Sequence, residues 1–577
     1  MPYIDWLGKD DVVHHHKEIA YKTIDCQEVV GDADSENMII KGDNLLALKS
    51  LLPYYANAIK MIYIDPPYNT GNTSWVYNDN MDSPLIKKWL NDTVNADDLS
   101  RSDKWLCMMY PRLKLLRELL KEDGVIFISI DDAEVAHLRM ICDEIFGNIN
   151  FISNIVWQKK YGPANDAKWI SDTHEHILVY AKNKNLWKPN LISRTDEQLK
   201  AFKNPDNDSR GLWRASDLSV KSYNKSCDYT ITSPKGKTFS PPASRVWAVT
   251  KESYLKLLED NRITFGKDGT GRPMYKKFLS EVKNGITPES WWDREKVGDN
   301  KIARYELKNI FPKNIFDTPK PTKLIKKIIQ LSTSKNDIIL DSFAGSGTTA
   351  HAVIEQNKQD GGNRKFILIE TLDYAKEITA ERVKRVQQGY AFKGKDKTTL
   401  YEKKITTTQL LKAKSMEKIA TEVEKLIEKE KPNYTKIEKT FKDNVLKVVG
   451  VKEIESFKEG LGGGFKYCEL GVEIFDEVGE LNFELTFYDI AKHLYFVEFK
   501  TPLKTKELTA PYVGNHKKRE LYFFEERFKM TNLIKLLKEL DEYKELIVYT
   551  RKCSISDDEL KKHKVTVRYI PYDIKDN

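Results

Sequence analysis

The chain has 577 residues, with 94 basic and 86 acidic side chains and a net charge of +8. At roughly 150 residues per domain this length predicts three or four compact units. A hydrophobic fraction of 40% with 11% aromatic residues excludes global disorder, and no apolar run approaches the roughly 20 residues that span a bilayer.

The N-terminal sequence and the cysteines bear on the compartment. The first residues lack the apolar core of a signal peptide, so we expect no secretion. The six cysteines form no CxxC pair, so neither a zinc ribbon nor a disulfide framework is expected. The predicted location is a reducing cytoplasm.

Along the chain, residues 1–35 are polar and predict an irregular, solvated arm. Strands and helices then alternate: strand MIIKGD ending at Asp43, helix NLLALKSLL, strand MIYID, loop PPYNTG, helix WLCMMYPRLKLLRELL, strand GVIFISI, helix DDAEVAHLRMICDEIF, and strands FISNIVWQ and HEHILVYAK. This alternation predicts a mostly parallel sheet with helices on both faces.

The segment from about 183 to 315 lacks this rhythm and is rich in Gly, Pro, Asn and Ser, which predicts an inserted, loop-rich module. Residues 182–313 hold 27 basic and 16 acidic side chains, a net charge of +11, so the rest of the chain sums to −3. The same window contains five of the eleven tryptophans: Trp187, Trp213, Trp247, Trp291 and Trp292. Basic residues interleaved with aromatics favour a nucleic-acid surface; an ordinary lysine-rich surface is the alternative.

The strand–helix rhythm returns after the insert. It runs through helix PTKLIKKIIQL, strand NDIILDSF, the loop and helix GSGTTAHAVIEQ, strand KFILIE and helix AKEITAERVKRVQQ. Residues 391–445 are charge-rich and predict a helical linker. From about Leu446 a second α/β unit is predicted, with strands FELTFYDI, LYFVEFK, ELIVYT and VTVRYIP.

The first chemical motif is Asp65-Pro66-Pro67-Tyr68, at the C-terminal end of an apolar strand, where ligands of open α/β sheets bind. An exocyclic nucleobase amine is a poor nucleophile because its lone pair is delocalised into the ring. The Asp65 carboxylate and the Pro66 carbonyl can each accept one N–H and turn that lone pair toward an electrophile. The two prolines stiffen the loop, and Tyr68 can stack on the base for about 1–3 kcal/mol. The alternative is a proline-rich turn with a helix-capping aspartate.

The second motif is a glycine loop between a strand and a helix. It contains Asp341, Phe343, Ala344, Gly345, Ser346, Gly347 and Thr348. The loop lacks both the GxGxxG spacing and a following GKS or GKT, which argues against a dinucleotide or a nucleotide phosphate. About 25 residues on, Glu370 ends the next strand, where an acid can accept bonds from both ribose hydroxyls. With Asp341 facing an α-ammonium group, these features predict S-adenosylmethionine as the cofactor.

In this order the two motifs resemble the β-class amino-methyltransferases of DNA, in which DPPY precedes FAGSG. The sequence is similar in particular to the methylation (Mod) subunits of type III restriction–modification systems. The similar stretches are GDNLLALK, IYIDPPYNTG, MMYPRLKLLRELLKEDGVIFISIDD, HEHILVYAK, TPKPTKLIKKII, DSFAGSGTTAHAV, GGGFKYCEL and RYIPYDI. The resemblance covers nearly the whole chain and is weakest in 185–315 and 391–445.

The resemblance implies a Rossmann-like methyltransferase sheet in the permuted β-class strand order. It implies methylation of adenine N6, flipped out of a short duplex DNA site, by a homodimer that has an ATP-dependent restriction (Res) partner. The implied organisation is an N-terminal arm (1–35), a catalytic half (36–184), a target recognition domain (185–315), a cofactor-binding half (316–390), a helical linker (391–445) and a C-terminal α/β domain (446–577) that makes dimer or partner contacts.

Carried over by position, the resemblance assigns Asp65, Pro66 and Tyr68 to the catalytic set. It assigns Asp341, Phe343, Gly345 and Glu370 to the cofactor, with Asp43 and Lys320 as cofactor neighbours. One departure is the segment after Glu370, which is shorter than the acidic loop usual in the family and leaves partner contacts there in doubt.

Several alternatives stay open. The acceptor is either adenine N6 or cytosine N4; the aspartate of DPPY favours adenine, because the cytosine enzymes more often carry serine there. An RNA amine is disfavoured by the size of the insert, and no Pro-Cys dipeptide is present for carbon-5 chemistry. Glu498-Phe499-Lys500 with Asp489 superficially matches a metal nuclease, but we expect no metal. A non-catalytic specificity subunit and an orphan methylase are the remaining readings.

Overall fold

The computed structural model describes residues 4–69, 100–164, 167–313, 315–476, 480–482, 484–505, 507–540 and 542–570. It divides into two compact units, residues 1–188 with 289–577, and residues 189–288. Thr70 and Gly71 of the PPYNTG loop, and residues 571–574 of RYIPYDI, lie outside the described residues. In the part of the chain that is described, no helix is long and apolar enough to cross a membrane.

The strands are numbered in chain order. The first six are β1 (Lys22–Gly31), β2 (Met38–Lys41), β3 (Ile59–Ile64), β4 (Leu120–Ile130), β5 (Phe151–Gln158) and β6 (His174–Ala181). The second unit holds β7 (Trp213–Asp217), β8 (Ser219–Val220), β9 (Ile231–Thr232), β10 (Thr238–Phe239), β11 (Val246–Trp247), β12 (Ile263–Thr264) and β13 (Met274–Phe278). The first unit continues with β14 (Trp291–Trp292), β15 (Ile338–Asp341), β16 (Lys365–Glu370), β17 (Gly389–Lys404), β18 (Lys436–Lys442), β19 (Val445–Glu459), β20 (Gly464–Glu473), β21 (Tyr512–His516), β22 (Arg519–Phe524), β23 (Glu545–Thr550) and β24 (Val565–Tyr569).

The α-helices are also numbered in chain order. They are α1 (Lys9–Val13), α2 (His15–Glu18), α3 (Asn44–Tyr55), α4 (Arg101–Leu119), α5 (Val135–Cys142), α6 (Asp196–Lys200), α7 (Lys251–Glu259), α8 (Arg294–Val297), α9 (Asn300–Ile310), α10 (Thr322–Ser332), α11 (Thr348–Asp360), α12 (Glu381–Gln388), α13 (Thr407–Leu410), α14 (Ala413–Glu430), α15 (Phe487–Phe499), α16 (Met530–Glu539) and α17 (Asp557–Lys562).

A ten-stranded mixed sheet forms the centre of the first unit, in the order β1-β20-β2-β16-β15-β3-β4-β6-β5-β14. The strands from β20 to β4 in this order run parallel, and β6 pairs antiparallel with β4. In β16, Phe366 to Ile369 are all buried, as expected of a strand covered on both faces. The predicted α/β fold class is confirmed.

The N-terminal segment differs from the prediction of a solvated arm. Trp6 and Val12 pack into the main core, and β1 forms the edge of the main sheet by pairing antiparallel with β20. The sequence pattern of β1 hides this role, because most of its positions remain exposed and its partner strand lies more than 400 residues away.

Residues 391–445, predicted to be a helical linker, do contain helices α13 and α14, but the stretches on either side of these helices form strands. Strands β17, β19 and β18 form a three-stranded antiparallel sheet, on which α14 packs through Ile419 and Val423. The long strands are rich in Lys, Glu and Thr and mostly exposed, so their composition indicated solvated helices. Cross-strand pairing outweighs that local preference.

The strands predicted at FELTFYDI and LYFVEFK are wrong where they overlap residues 487–499, which form helix α15. Thr486 caps this helix in a reciprocal pair with Asp489, and that capping signal outweighs the apparent alternation. The acids of the nuclease-like pattern, Asp489 and Glu498, stand nine residues apart on the helix and therefore on opposite faces. Glu498 instead pairs with Arg519 at 2.8 Å. The following strands, β21 to β24, form a separate four-stranded sheet.

One disulfide, which the sequence analysis did not predict, joins Cys26 of β1 to Cys468 of β20. The two residues face each other across neighbouring strands. Spacing along the chain carries no information about such a cross-strand contact.

The second unit consists of short two- and three-stranded sheets around a small core that contains Leu218, Trp247 and Phe265. Residues 189–288 hold 18 basic and 11 acidic side chains, a net charge of +7. The tryptophans of the basic window are mostly core residues: Trp187, Trp213, Trp247 and Trp292 are buried, and Trp291 is 53% exposed. The aromatic part of the surface argument is therefore wrong, while the positive charge remains.

The β1–β20 edge gives a stability prediction. A Cβ atom on Gly464 would lie 2.5 Å from the Asp32 carbonyl oxygen and 2.8 Å from that of Val30, both backbone atoms that cannot rotate away. We expect Gly464→Ala to lower the free energy of unfolding by about 1–3 kcal/mol. Gly162→Ala, where an added Cβ meets nothing within 4 Å, is the matched control. Equal thermal unfolding curves for the two variants would contradict the packing described here.

Candidate active site

Four neighbouring parallel strands bring the predicted site residues to one edge of the main sheet. Asp65 follows β3, Asp341 ends β15, Glu370 ends β16, and Asp43 follows β2. These strands are adjacent in the sheet and run in the same direction, so their carboxyl ends share one edge. Because β6 runs antiparallel to β4, its N-terminal residues, including Glu175, lie at this edge too.

The two motifs line a common cleft. Asp65 and Tyr63 border it from β3, Lys320 from the segment before α10, and the glycine loop from the β15 side. The lining residues are Tyr63, Asp65, Phe316, Thr318, Pro319, Lys320, Asp341, Phe343, Ala344, Gly345, Ser346, Thr348 and Thr349. The roles assigned to these residues from the sequence stay predictions.

Asp65 sits in a compact network of charged and polar groups. Lys320 Nζ contacts both carboxylate oxygens of Asp65, at 2.8 and 2.6 Å. The Tyr68 hydroxyl lies 2.7 Å from Asp65 Oδ1 and 3.0 Å from Glu175 Oε2. Lys320 Nζ also stands 3.7 Å from Glu175 Oε2 and 5.0 Å from the centre of the Tyr68 ring. Two acids and one lysine thus converge on a single tyrosine.

Burial dominates the electrostatics of this network. It raises the pKa of the Asp65 carboxyl above its usual value, against the opposing effect of Lys320. The pKa of the Tyr68 hydroxyl is raised well above its usual value by burial first and by Asp65 second. Tyr68 therefore stays protonated at neutral pH and can donate a hydrogen bond.

Backbone geometry and a buried arginine hold the glycine loop in place. Gly345 has φ +51°, and a Cβ there would lie 3.2 Å from the Phe316 ring, so glycine leaves this part of the cleft open. Beneath the loop, fully buried Arg382 donates to Ser346 Oγ at 2.8 Å and to Thr348 Oγ1 at 2.7 Å.

Two buried acids flank the glycine loop. Asp341 accepts hydrogen bonds from the Thr349 hydroxyl and from the Phe343 amide at 3.0 Å. Glu370 accepts from the Gly345 amide at 2.8 Å and from the Leu372 amide at 3.0 Å. Burial raises the pKa of each carboxyl to about 7. Among the ion pairs of the described residues, neither acid has a cationic partner within 4 Å.

Not every predicted site residue lines the cleft. Asp43 caps helix α3 by accepting from the Leu45 and Leu46 amides, and its other oxygen lies 3.6 Å from Arg112. Gly347 supports the turn into α11 with φ +78°. Pro66, Pro67, Tyr68 and Glu370 stand next to the lining residues without belonging to them.

Seven residues of the site were not assigned from the sequence: Tyr63, Glu175, Phe316, Thr318, Pro319, Thr349 and Arg382. Glu175 belongs to the motif HEHILVYAK, and a charged residue entering an apolar strand was the signal available for it. Thr349 follows the glycine motif directly. Phe316 and Arg382 carried no local signal, because only the tertiary fold brings them to the loop.

One group in the described part of the chain has the geometry to hold a metal ion. Ligand atoms of Asp132, His174 and His176 lie within 4.8 Å of one another. In this structure His176 Nε2 contacts Asp132 at 2.9 Å, and its Nδ1 contacts Asn154. Hydrogen bonds therefore already account for the arrangement of His176.

Comparison with known proteins identifies the class. A model of the DNA methylase family matches residues 59–381, which is 323 of the 577 residues and includes both motifs. The chain therefore belongs to the DNA methylase family.

Three individual relatives show which kinds of DNA methylase this chain resembles. The chain is 40% identical over 415 residues to the type III restriction–modification enzyme StyLTI Mod subunit of Salmonella typhimurium, which covers 66% of this chain and 62% of that protein. It is 34% identical over 381 residues to the EcoPI Mod subunit of Escherichia phage P1, 58% of each protein. It is 33% identical over 362 residues to the type II methyltransferase M.KpnI of Klebsiella pneumoniae, 59% of this chain and 81% of the relative. These matches confirm the predicted resemblance to type III Mod subunits, although the chain spans only about 60% of the length of the two Mod relatives.

The buried acids of the glycine loop predict a pH dependence of stability. Their pKa of about 7 in the folded chain exceeds the usual values of 3.8 and 4.5, so the folded state binds protons more tightly than the unfolded state. The free energy of unfolding should therefore fall as the pH rises from about 4 to about 7, by on the order of 1–4 kcal/mol per group.

Asp341→Asn tests this dependence in thermal unfolding without cofactor. The asparagine keeps an acceptor for the Phe343 amide but cannot ionise, so the stability of the variant should change less between pH 5 and pH 8. Asp373→Asn, at a surface position, serves as the control. An unchanged pH slope in Asp341→Asn would show that this carboxyl does not titrate in that window.

Proposed function

We propose that this chain is an S-adenosylmethionine-dependent DNA methyltransferase that modifies N6 of adenine in a short duplex site. We further propose that it acts as the modification subunit of a type III restriction–modification system. The observation that carries this proposal is the shared cleft between Asp65 and the glycine loop. One motif suits an exocyclic amine, the other suits a nucleoside, and methyl transfer requires both at one place.

The residues around the glycine loop fit the proposed cofactor. When bound, S-adenosylmethionine supplies an electrophilic methyl group. Asp341 is a buried acid at the cleft with a hydroxyl and an amide as its hydrogen-bond donors, and a ligand ammonium group suits such a carboxylate. The open space at Gly345 beside Phe316 suits a flat heterocycle. Glu370 accepts hydrogen bonds from two backbone amides and has further lone pairs that can accept from hydroxyl groups.

The chain's own residues supply positioning and electrostatics. Asp65 and the Pro66 carbonyl would each accept one N–H of the target amine, which localises its lone pair on nitrogen. The hydrogen bonds of the Tyr68 hydroxyl to Asp65 and Glu175 fix the plane of the ring on which a base would stack. Taking the base out of the duplex costs a few kcal/mol, which such stacking partly offsets. Direct displacement by a held amine needs no covalent enzyme intermediate.

The choice of substrate and partners follows from the resemblance and the charge distribution. The aspartate of DPPY favours adenine, and cytosine N4 is the alternative acceptor. The net charge of +7 in residues 189–288 suits contacts with DNA phosphates, in line with a target recognition domain there. A homodimer, a restriction (Res) partner and a cytoplasmic location complete the proposal; an orphan methylase without a restriction partner is its alternative.

Asp65 is the decisive residue for the proposed chemistry. Asp65→Asn keeps the shape of the side chain but removes the charge that holds Lys320 and one acceptor position for the amine. We expect methyl transfer from tritiated cofactor to fall at least about 100-fold, the scale at which such electrostatic and proton-accepting groups act. Cofactor affinity, measured by calorimetry, should stay within a few fold. Near-normal turnover by this variant would refute the role of Asp65.

One experiment reports both the methylated base and its site in DNA. Single-molecule sequencing of DNA from cells that express the chain should show N6-methyladenine at one fixed position of a short asymmetric sequence. N4-methylcytosine would select the alternative acceptor. DNA from cells that express Asp65→Asn is the control, and modification in that sample would identify another enzyme as the source.

A further inference from the structure

We propose that Glu175 receives the proton that the target amine loses during methyl transfer, and that the Tyr68 hydroxyl carries it there from Asp65. This inference rests on the proposed function and deepens it, because it assigns a role to a residue outside the DPPY and FAGSG motifs. Glu175 would act through Tyr68 and Asp65, and is therefore a positioning and proton-accepting residue that does not touch the substrate.

The path consists of three oxygen atoms, one each from Asp65, Tyr68 and Glu175. The Tyr68 hydroxyl stands 2.7 Å from Asp65 Oδ1 on one side and 3.0 Å from Glu175 Oε2 on the other, so both contacts have hydrogen-bond length. The hydroxyl has one proton and two acceptor lone pairs. It can therefore donate to the Glu175 carboxylate while it accepts from Asp65 once Asp65 is protonated, which is the requirement for passing a proton through.

Asp65 and Glu175 differ in their surroundings. Asp65 borders the cleft, where the amine would lie. The Glu175 side chain is only 7% exposed, and it enters the network from β6. The Tyr68 hydroxyl thus joins Asp65 to a second, more deeply buried acid.

The atoms and charges balance along this path. The amine nitrogen forms a bond to the methyl carbon, the bond from that carbon to its leaving sulfur breaks, and the electron pair stays on sulfur. The nitrogen then carries one proton too many and gives it to Asp65 Oδ1. Asp65 passes a proton to the Tyr68 oxygen while the proton of that hydroxyl moves to Glu175 Oε2. The tyrosine ends as it began, and Asp65 is again a carboxylate.

The charges around Glu175 explain where the proton leaves. Lys320 Nζ lies 3.7 Å from Oε2, and Lys159 Nζ lies 3.4 Å from Oε1. Lys159 also pairs with Asp172 at 2.9 Å, and the Asp172 side chain is 44% exposed. The network therefore runs from the cleft through Glu175 to an acid in contact with water. Tyr63, hydrogen-bonded to Ser129 at 2.9 Å, is a further titratable group beside Tyr68.

The test compares Tyr68→Phe, Glu175→Gln and the double variant in single-turnover methylation of duplex DNA that carries the site found by sequencing. Tyr68→Phe keeps the stacking ring and removes the hydroxyl, and Glu175→Gln keeps the shape and removes the proton acceptor. Each should lower the rate at saturating substrate by about 10–100-fold, with little change in DNA or cofactor affinity. The double variant should be no slower than the slower single variant, because both changes interrupt one path.

Two further readouts separate a proton path from mere support. Imidazole, a small base, should restore part of the rate of Glu175→Gln, and the pH profile of that variant should rise further toward alkaline pH than that of the wild type. Without cofactor, thermal unfolding of the four proteins should show a coupling between Tyr68 and Glu175, which reports the hydrogen bond itself. Glu144→Gln is the matched control, since it makes the same exchange in another tyrosine–glutamate pair, with Tyr110 at 2.8 Å, and should leave the rate unchanged.

The inference is overturned if either single variant keeps the wild-type rate, or if the two rate effects multiply. It is also overturned if the rate falls with no response to imidazole and no change in pH profile, because Glu175 would then only support the site. An inactive wild-type chain would instead refute the proposed function, and the coupling in thermal unfolding would still report the Tyr68–Glu175 contact.

Discussion

Parallel pairing of β3 with β15 is the constraint on which the candidate site depends. Asp65 and Asp341 are 276 positions apart in the sequence, yet Ile62 pairs with Leu340 in neighbouring strands. Because both strands run in the same direction, their carboxyl ends deliver the DPPY turn and the glycine loop to one edge. An antiparallel arrangement of the same two strands would place the motifs at opposite edges of the sheet, with no common cleft.

Within that cleft, the positions of the charged side chains indicate how the site could take up a polar ligand. Lys320 occupies both oxygens of Asp65 in this structure, so an incoming amine must share or replace these contacts. Glu175 lies 3.7 Å from the same ammonium group, so Lys320 can pair with this second acid after only a small movement. The cluster can thus accept a polar substrate without leaving a buried charge unpaired, which would be expensive in a site of low polarity.

The sequence predicted the parts of this molecule that depend on local patterns. Strand KFILIE was predicted at its observed bounds, and the two motifs were placed on strand ends because apolar runs and breakers are local signals. Features that depend on distant partners were missed. The edge strand β1, the Cys26–Cys468 disulfide and the contact of Arg382 with the glycine loop each join segments that no local pattern connects. Helix α15 was not predicted for another reason. Its sequence shows a short apparent alternation of polar and apolar residues that indicates strands, although Thr486 and Asp489 form a capping box.

The position of β20 has a consequence for how this fold can be divided. After the separate three-stranded sheet of β17, β18 and β19, the chain returns to the main sheet, where β20 lies between β1 and β2. The segment that matches the DNA methylase family, residues 59–381, does not include β1, β2 or β20. A recombinant fragment cut at those limits would leave β16 as a bare edge with unpaired backbone groups, a surface prone to self-association. We therefore expect the matched segment to fold poorly by itself, so gene fusions or transplants of this chain should carry the flanking strands with it.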